Sequence, residues 1–351
     1  MIKYLGSKRR LIEHIVADVE SCEGVRTVLD LFSGTARVGH ALKTRGYHVH
    51  ANDHNAYAHV LARCYVAADG RRWRAEAERV IAELNALAPE PGWFTELYCE
   101  RSRYLQPANG ARVDAIRSRI AALALPHELE AIALVSLMEA ADRVDSTVGL
   151  QMAYLKQWAP RSYQPLRLRL PALVDGEGGA SCMDAREAAA MYAADLAYLD
   201  PPYNQHSYLG NYHVWESLVR WDKPEVYGVA MKREDVRTRG SVFNRRGQHA
   251  AAFRDVLERL RARWLVVSFS DEGFLSLDEL RAMLAERGTV REVGIANTRY
   301  IGHKIGIHDL LGRKVGTPGP ARNREHLFVV ETGVAAAAAA RRRRVPAAAS
   351  A

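Results

Sequence analysis

The 351-residue sequence holds only four cysteines, Cys22, Cys64, Cys99 and Cys182, with no C-x-x-C pair and no histidine at zinc spacing beside them. That scarcity argues against a disulfide framework and a structural metal, and reads as reduced thiols in a cytoplasm. No apolar run approaches the roughly 18 residues that cross a bilayer. Gly6, Lys8, Arg9 and Arg10 stand where a signal peptide would carry its apolar core, so neither secretion nor membrane insertion is expected. Internal repeats are also lacking.

What is present is 48% hydrophobic and 26% charged residues, enough for a large buried core in one big domain or two modest ones. The net charge of +8 points toward a polyanion, but Arg341 to Arg344 supply four of those charges. Charge alone therefore does not decide the partner.

The chain opens as an α/β unit. An apolar, β-forming run at Val25–Phe32 leads into Ser33-Gly34-Thr35, then a helical pattern at Ala36–Arg45 stopped by Gly46, then a second strand at Tyr47–Ala51. Strand, glycine turn, helix and strand predict a right-handed crossover, the first half of a doubly wound parallel sheet. Residues 66–180 change character, with helical patterns at Trp73–Leu87, Arg112–Leu123 and Leu129–Arg143, and a break at Pro89-Glu90-Pro91-Gly92. The α/β rhythm then resumes, with strands expected at Leu196–Leu199, Trp264–Phe269, Val290–Ile295 and Leu327–Val330 and a helix at Ala250–Arg263. The organisation expected is an α/β domain of residues 1–65 and 181–333, a mostly helical insert at 66–180 and a disordered Ala/Arg tail at 334–351.

The most informative motif is Asp200-Pro201-Pro202-Tyr203, directly after the apolar run Leu196–Leu199. An acid at the carboxyl end of a buried strand sits where open α/β sheets hold ligands, and the two prolines force an extended turn that donates no backbone hydrogen bonds. The Asp200 carboxylate and the Pro201 carbonyl can accept from one exocyclic amino group while Tyr203 stacks on the ring that bears it, which suits a nucleobase. The second motif is Asp30-Leu31-Phe32-Ser33-Gly34, followed nineteen residues after Gly34 by Asp53 at the end of the second strand. Asp53 is placed to accept from both ribose hydroxyls of an adenosine-containing cofactor. Ala36 replaces a second glycine of the nicotinamide pattern, and Asp30 repels pyrophosphate while welcoming an ammonium or sulfonium.

These residues, together with Ile2-Lys3-Tyr4-Leu5-Gly6-Ser7-Lys8, Asn211-Tyr212-His213-Val214-Trp215-Glu216 and Ser268-Phe269-Ser270-Asp271-Glu272-Gly273, resemble the D12 class, or Dam-like, DNA adenine methyltransferases over roughly residues 1–333. The resemblance is to modification enzymes of restriction systems within that class. It implies a Rossmann-like class I S-adenosylmethionine-dependent methyltransferase sheet with an inserted helical recognition lobe. It also implies a site-specific adenine-N6 methyltransferase that uses S-adenosylmethionine, binds double-stranded DNA and has a cognate restriction endonuclease as a possible partner. Carried residue by residue, Tyr4, Lys8, Asp30, Phe32, Gly34, Asp53, Asp184 and Ala185 match the cofactor positions, and Asp200, Pro201, Pro202 and Tyr203 the catalytic motif. Two positions depart from the pattern, Ala36 for a commoner glycine and Phe269 for a frequent tyrosine.

The resemblance assigns DNA recognition to residues 66–180 and to the polar stretch after the catalytic motif. That stretch carries Arg237, Arg239, Asn244, Arg245 and Arg246, types that meet phosphates and purine edges and equally furnish a solvated loop. Weaker candidates are Arg101, Arg103 and Tyr104, and the run Ser146–Tyr154 with Lys156. The histidines, His206 and His213 among them, lack metal spacing and read as polar or hydrogen-bonding residues. No metal is expected. No cysteine follows a proline, so the Pro-Cys nucleophile of cytosine-C5 methylation is missing. Amino methylation of RNA or of cytosine N4, and a catalytically silent DNA-binding protein, remain alternatives.

Overall fold

The computed structural model describes residues 1–271, 273–298, 307–308, 314–316 and 322–333. The Ala/Arg stretch read as a tail, and Glu272 of the matched motif, lie outside the described residues. Seven strands make one sheet: β1 Thr27–Asp30, β2 His48–Asn52, β3 Gly179–Ser181, β4 Leu196–Leu199, β5 Trp264–Ser270, β6 Gly288–Thr298 and β7 Arg322–Thr332. Their order is β3-β2-β1-β4-β5-β7-β6. β1, β4 and β5 run parallel, β2 and β3 pair in parallel, and β7 lies antiparallel to both β5 and β6.

The chain divides into two compact units. One comprises 11–32, 183–205 and 242 onward. Its core is built on β1, β4, β5 and β7. All four residues of β4 are buried, the uninterrupted apolar run that a strand covered on both faces requires. Leu29, Leu199, Val267 and Phe328 pack there with Phe253, Val256 and Leu257 of the helix Arg246–Arg259 and with Leu280 and Leu284 of the helix Leu277–Ala285. The second of these helices begins with a capping box, in which Ser276 and Glu279 satisfy each other's backbone N–H.

The other unit comprises 1–10, 33–182 and 206–241. It contains β2, β3 and the helices Arg37–Thr44, Ala56–Ala62, Gly70–Ala86, Pro107–Ala122, His127–Arg143 and His213–Arg220. His127–Arg143 is apolar on nearly every side, Leu129 to Ala141 being buried almost without interruption, so it forms the centre of this unit. The prolines at 89 and 91 fall in the expected break, between Ala86 and Trp93. Strand β3 was not expected. It begins at Gly179, within the stretch read as helical, and helix already appears at Ala56–Ala62 before that stretch starts. Among the described residues no helix is long and apolar enough to cross a membrane.

Burial leaves several histidines neutral. Desolvation holds His213 down at about 3 and His50 at about 4, and lowers His40, His59 and His249 below the ordinary value. The unfolded chain therefore takes up protons near pH 6.5 that the folded chain refuses, and stability falls as pH drops through this window. Each histidine kept neutral contributes a slope of about 1.4 kcal/mol per pH unit. Asp142 opposes this below pH 6, because burial raises its carboxyl to about 6. Urea unfolding from pH 7 to 4 should show a net decline in stability beginning near 6.5, and a flat profile over that range would contradict the burial of these rings.

Candidate active site

In the unit that holds β1 and β4, parallel pairing sets Asp30 opposite Tyr198. Asp30 is 1% exposed at the carboxyl end of β1, and Asp200 follows directly on β4 as a half-buried residue. Pro201 is buried, and Pro202 and Tyr203 are half-buried. The turn is anchored at three successive carbonyls. Pro202 O accepts from His249 Nε2 at 3.0 Å, Tyr203 O from the Phe274 N–H at 2.8 Å, and Asn204 O from Asn244 Nδ2 at 2.8 Å. The Tyr203 ring lies 5.8 Å from that of Phe269. Phe32 meets Phe243 edge-on at 5.0 Å. Asp184 caps the helix Ala185–Met191, accepting from the Arg186 N–H at 2.9 Å and from its guanidinium at 2.8 and 3.1 Å, while Ala185 is buried.

In the other unit, the turn after Ser33 requires two left-handed residues, Gly34 at φ +52° and Ala36 at φ +57°. The Gly34 N–H donates to Asp53 Oδ2 at 3.0 Å, and Asp53 Oδ1 accepts from the Asn55 N–H at 2.9 Å. A Cβ at Gly34 would come within 3.3 Å of the Tyr4 ring. Tyr4 stacks on Tyr208 at 5.2 Å and on Tyr212 at 4.7 Å, and its hydroxyl lies 3.3 Å from that of Tyr57. Burial, with Tyr57 as neighbour, pushes the Tyr4 phenol well above its ordinary value, so it stays neutral. Tyr212 accepts from the Leu5 N–H at 2.6 Å, which pins the N-terminal motif, and Lys8 is 6% exposed in a single helical turn.

The polar residues after the motif separate into two sets. Arg239 bonds Asp235 and the fully buried Glu216, each at 3.0 Å, and Glu216 also accepts from the Tyr57 N–H at 3.1 Å. Arg239 and Asn244, read in the sequence as groups for DNA, thus spend donors inside their own units. Arg237 is exposed over the Tyr227 ring at 4.0 Å and beside Glu234 at 3.3 Å. Arg245 and Arg246 are exposed, the first bonding Gln248 at 3.4 Å and the second lying over Phe274 at 5.3 Å. Sequence reasoning gave no role to Tyr57, Tyr208, Tyr212, Glu216 or His249. For His249 a signal existed. It shares a helical stripe with Ala252, Phe253, Val256 and Leu257, a spacing that marks the buried face. Among the described residues no cluster of histidine, cysteine or acid could hold a metal.

A seven-stranded, mostly parallel sheet in which β7 runs antiparallel between β5 and β6, with acids closing its first, second and fourth strands, is the Rossmann-like class I methyltransferase architecture. The sequence model of the D12 class N6 adenine-specific DNA methyltransferases matches residues 4–283, and the chain belongs to that family. Type II methyltransferase M.FokI of Planomicrobium okeanokoites is 29% identical over 324 residues, covering 86% of this chain and 50% of the relative. Type II methyltransferase M.NlaIII of Neisseria lactamica is 28% identical, covering 82% and 89%, and Type II methyltransferase M.CviAII of Paramecium bursaria Chlorella virus 1 is 27% identical, covering 85% and 92%. The chain therefore spans about half the length of M.FokI and nearly all of the other two. Membership implies a methyl donor and a DNA substrate.

The left-handed conformation of Ala36 costs about 1 kcal/mol that glycine would not incur. Ala36→Gly should raise the urea midpoint by an amount equivalent to about 1 kcal/mol without changing the slope, and a lowered midpoint would contradict the strain assigned here.

Proposed function

We propose that the chain is a site-specific DNA methyltransferase that moves a methyl group from S-adenosylmethionine to N6 of an adenine turned out of the duplex. The observation that carries this reading is the anchored Asp200-Pro201-Pro202-Tyr203 turn at the end of a fully buried strand. An adenine amino nitrogen is a poor nucleophile because its lone pair is delocalised into the ring, so catalysis rests on alignment and on acceptors for the positive charge that develops on nitrogen. The Asp200 carboxylate and the Pro201 carbonyl are those acceptors, and Tyr203 stacks on the purine. Leaving the helical stack costs a few kcal/mol, which the stacking and the pocket contacts offset.

The chain's residues fit the cofactor. A side chain at Gly34 would crowd the Tyr4 ring, so the turn has room that only glycine leaves, and Asp53 holds its carboxylate at the end of β2 with two backbone N–H groups fixing its direction. In this reading Asp53 takes the ribose hydroxyls, Lys8 the methionine carboxylate and Asp30 the ammonium, with Tyr4, Phe32 and Gly34 shaping the turn and Asp184 and Ala185 flanking the adenine. When bound, S-adenosylmethionine supplies an activated methyl on a sulfonium. Arg237, Arg245 and Arg246, exposed and basic, are proposed phosphate contacts. The relatives include Modification methylase StsI of Streptococcus sanguinis, which supports a role in DNA modification, and a cognate endonuclease as partner and the cytoplasm as the place of action belong to the same proposal.

Incubation of the protein with labelled S-adenosylmethionine and unmethylated genomic DNA or total RNA, followed by digestion to nucleosides, tests this directly. The label is expected in N6-methyldeoxyadenosine from the DNA. Label in N4-methyldeoxycytidine or in an RNA nucleoside would move the substrate, and cofactor binding without any transfer would favour a silent DNA-binding protein.

A further inference from the structure

Pro201 and Pro202 have no backbone N–H, so the acceptor turn is held on this side through its carbonyls. Two of the three anchors described above are ordinary amide donors, from the Phe274 backbone and the Asn244 side chain. The third is an imidazole. His249 is fully buried inside a cage of phenylalanines, with Phe274 at 5.9 Å, Phe243 at 6.0 Å, Phe269 at 6.2 Å and Phe253 at 6.4 Å between ring centroids. Its Nδ1 is buried and has no hydrogen-bond partner. A carbonyl cannot donate, so the proton must be on Nε2, and a second proton on Nδ1 would be a donor stranded among aromatic rings. The ring is therefore the neutral Nε2–H tautomer, and burial holds it neutral below the ordinary histidine range.

A phenylalanine or leucine would fill such a cage without the penalty of burying an unpartnered ring nitrogen. What histidine adds is one N–H aimed at Pro202 O. We propose that His249 is a positioning residue for methyl transfer. Its hydrogen bond fixes the plane of the Pro202–Tyr203 peptide, and through it the direction in which Tyr203 and the acceptors Asp200 and Pro201 O face the amino group. The proposal rests on the methyltransferase reading above. It concerns alignment, not the holding of cofactor or DNA, so it acts on the rate of transfer once both are bound.

The test compares His249→Phe, which fills the cage without the donor, with His249→Gln, whose amide restores an N–H near the Nε2 position. Single-turnover transfer to duplex DNA, calorimetric affinity for S-adenosylmethionine, KM for DNA and Tm are measured for each. His249→Phe is expected to keep Tm, cofactor affinity and KM while its transfer rate falls by about 10²-fold, the loss typical of an ångström-scale misalignment. His249→Gln is expected to recover most of that rate. Should the phenylalanine variant fail to fold, His249→Met fills the cage without a donor in its place. Normal transfer by a folded variant lacking the donor would overturn the proposal. So would parallel loss of Tm, cofactor binding and rate in both variants, which would make His249 a packing residue only. A wild-type protein that transfers nothing to DNA would instead contradict the methyltransferase reading, and the role of His249 would fall with it.

Discussion

The parallel pairing of β1 with β4 is the constraint on which the acceptor site depends. Val28, Leu29 and Asp30 lie opposite Leu196, Ala197 and Tyr198, and the Leu31 N–H continues the ladder to Tyr198 O at 3.1 Å. Both strands are buried, and a slip of one residue would exchange the side chains packed on the two covered faces and disturb the packing on each, so the core fixes the register. That register carries two acids, Asp30 and Asp200, to the same end of adjacent strands. Burial elsewhere in the strands offsets the cost of holding Asp30 nearly out of water, and the site's chemistry is thereby set by packing that takes no part in it.

A different logic shapes the N-terminal motif and the turn after Ser33. Here aromatic stacking stands in for a sheet. Tyr4 is stacked on Tyr208 and Tyr212, Tyr212 accepts from the Leu5 N–H, and buried Glu216 accepts from the Tyr57 N–H while paired with Arg239. A buried carboxylate is costly unless paired and hydrogen-bonded, and Glu216 is both. Asp53 serves structure as well as ligand. It ties the Gly34 turn and starts the helix Ala56–Ala62 through Asn55, whose N–H and side-chain amide both donate to Oδ1, while Oδ2 keeps a further lone pair for a hydroxyl.

Much of this was legible from the sequence because it depends on local rules. The run Leu196–Leu199 is a strand at the residues expected, and Gly46 follows the end of the helix Arg37–Thr44. β3 escaped because Gly179-Ala180-Ser181 has no large apolar or β-branched residue to announce it, and it exists through its pairing with β2. That Arg239 and Asn244 also bond the buried Glu216 and the Asn204 carbonyl was not legible, because nothing local announces those partners. His249 was hidden for the opposite reason. The stripe that buries it was readable, but a polar residue on that stripe reveals its purpose only when the Pro202 carbonyl is seen beside it.

Positioning and a fixed acceptor at the end of β4 together make the central claim, and Asp200 is the group on which both converge. The most direct measurement is single-turnover methyl transfer by Asp200→Ala with saturating S-adenosylmethionine and duplex DNA, beside calorimetric cofactor binding. The account predicts a rate reduced by about 10²- to 10³-fold or more, as when a developing charge loses its acceptor, with cofactor affinity nearly unchanged. Transfer at the wild-type rate, or a loss confined to cofactor affinity, would contradict it.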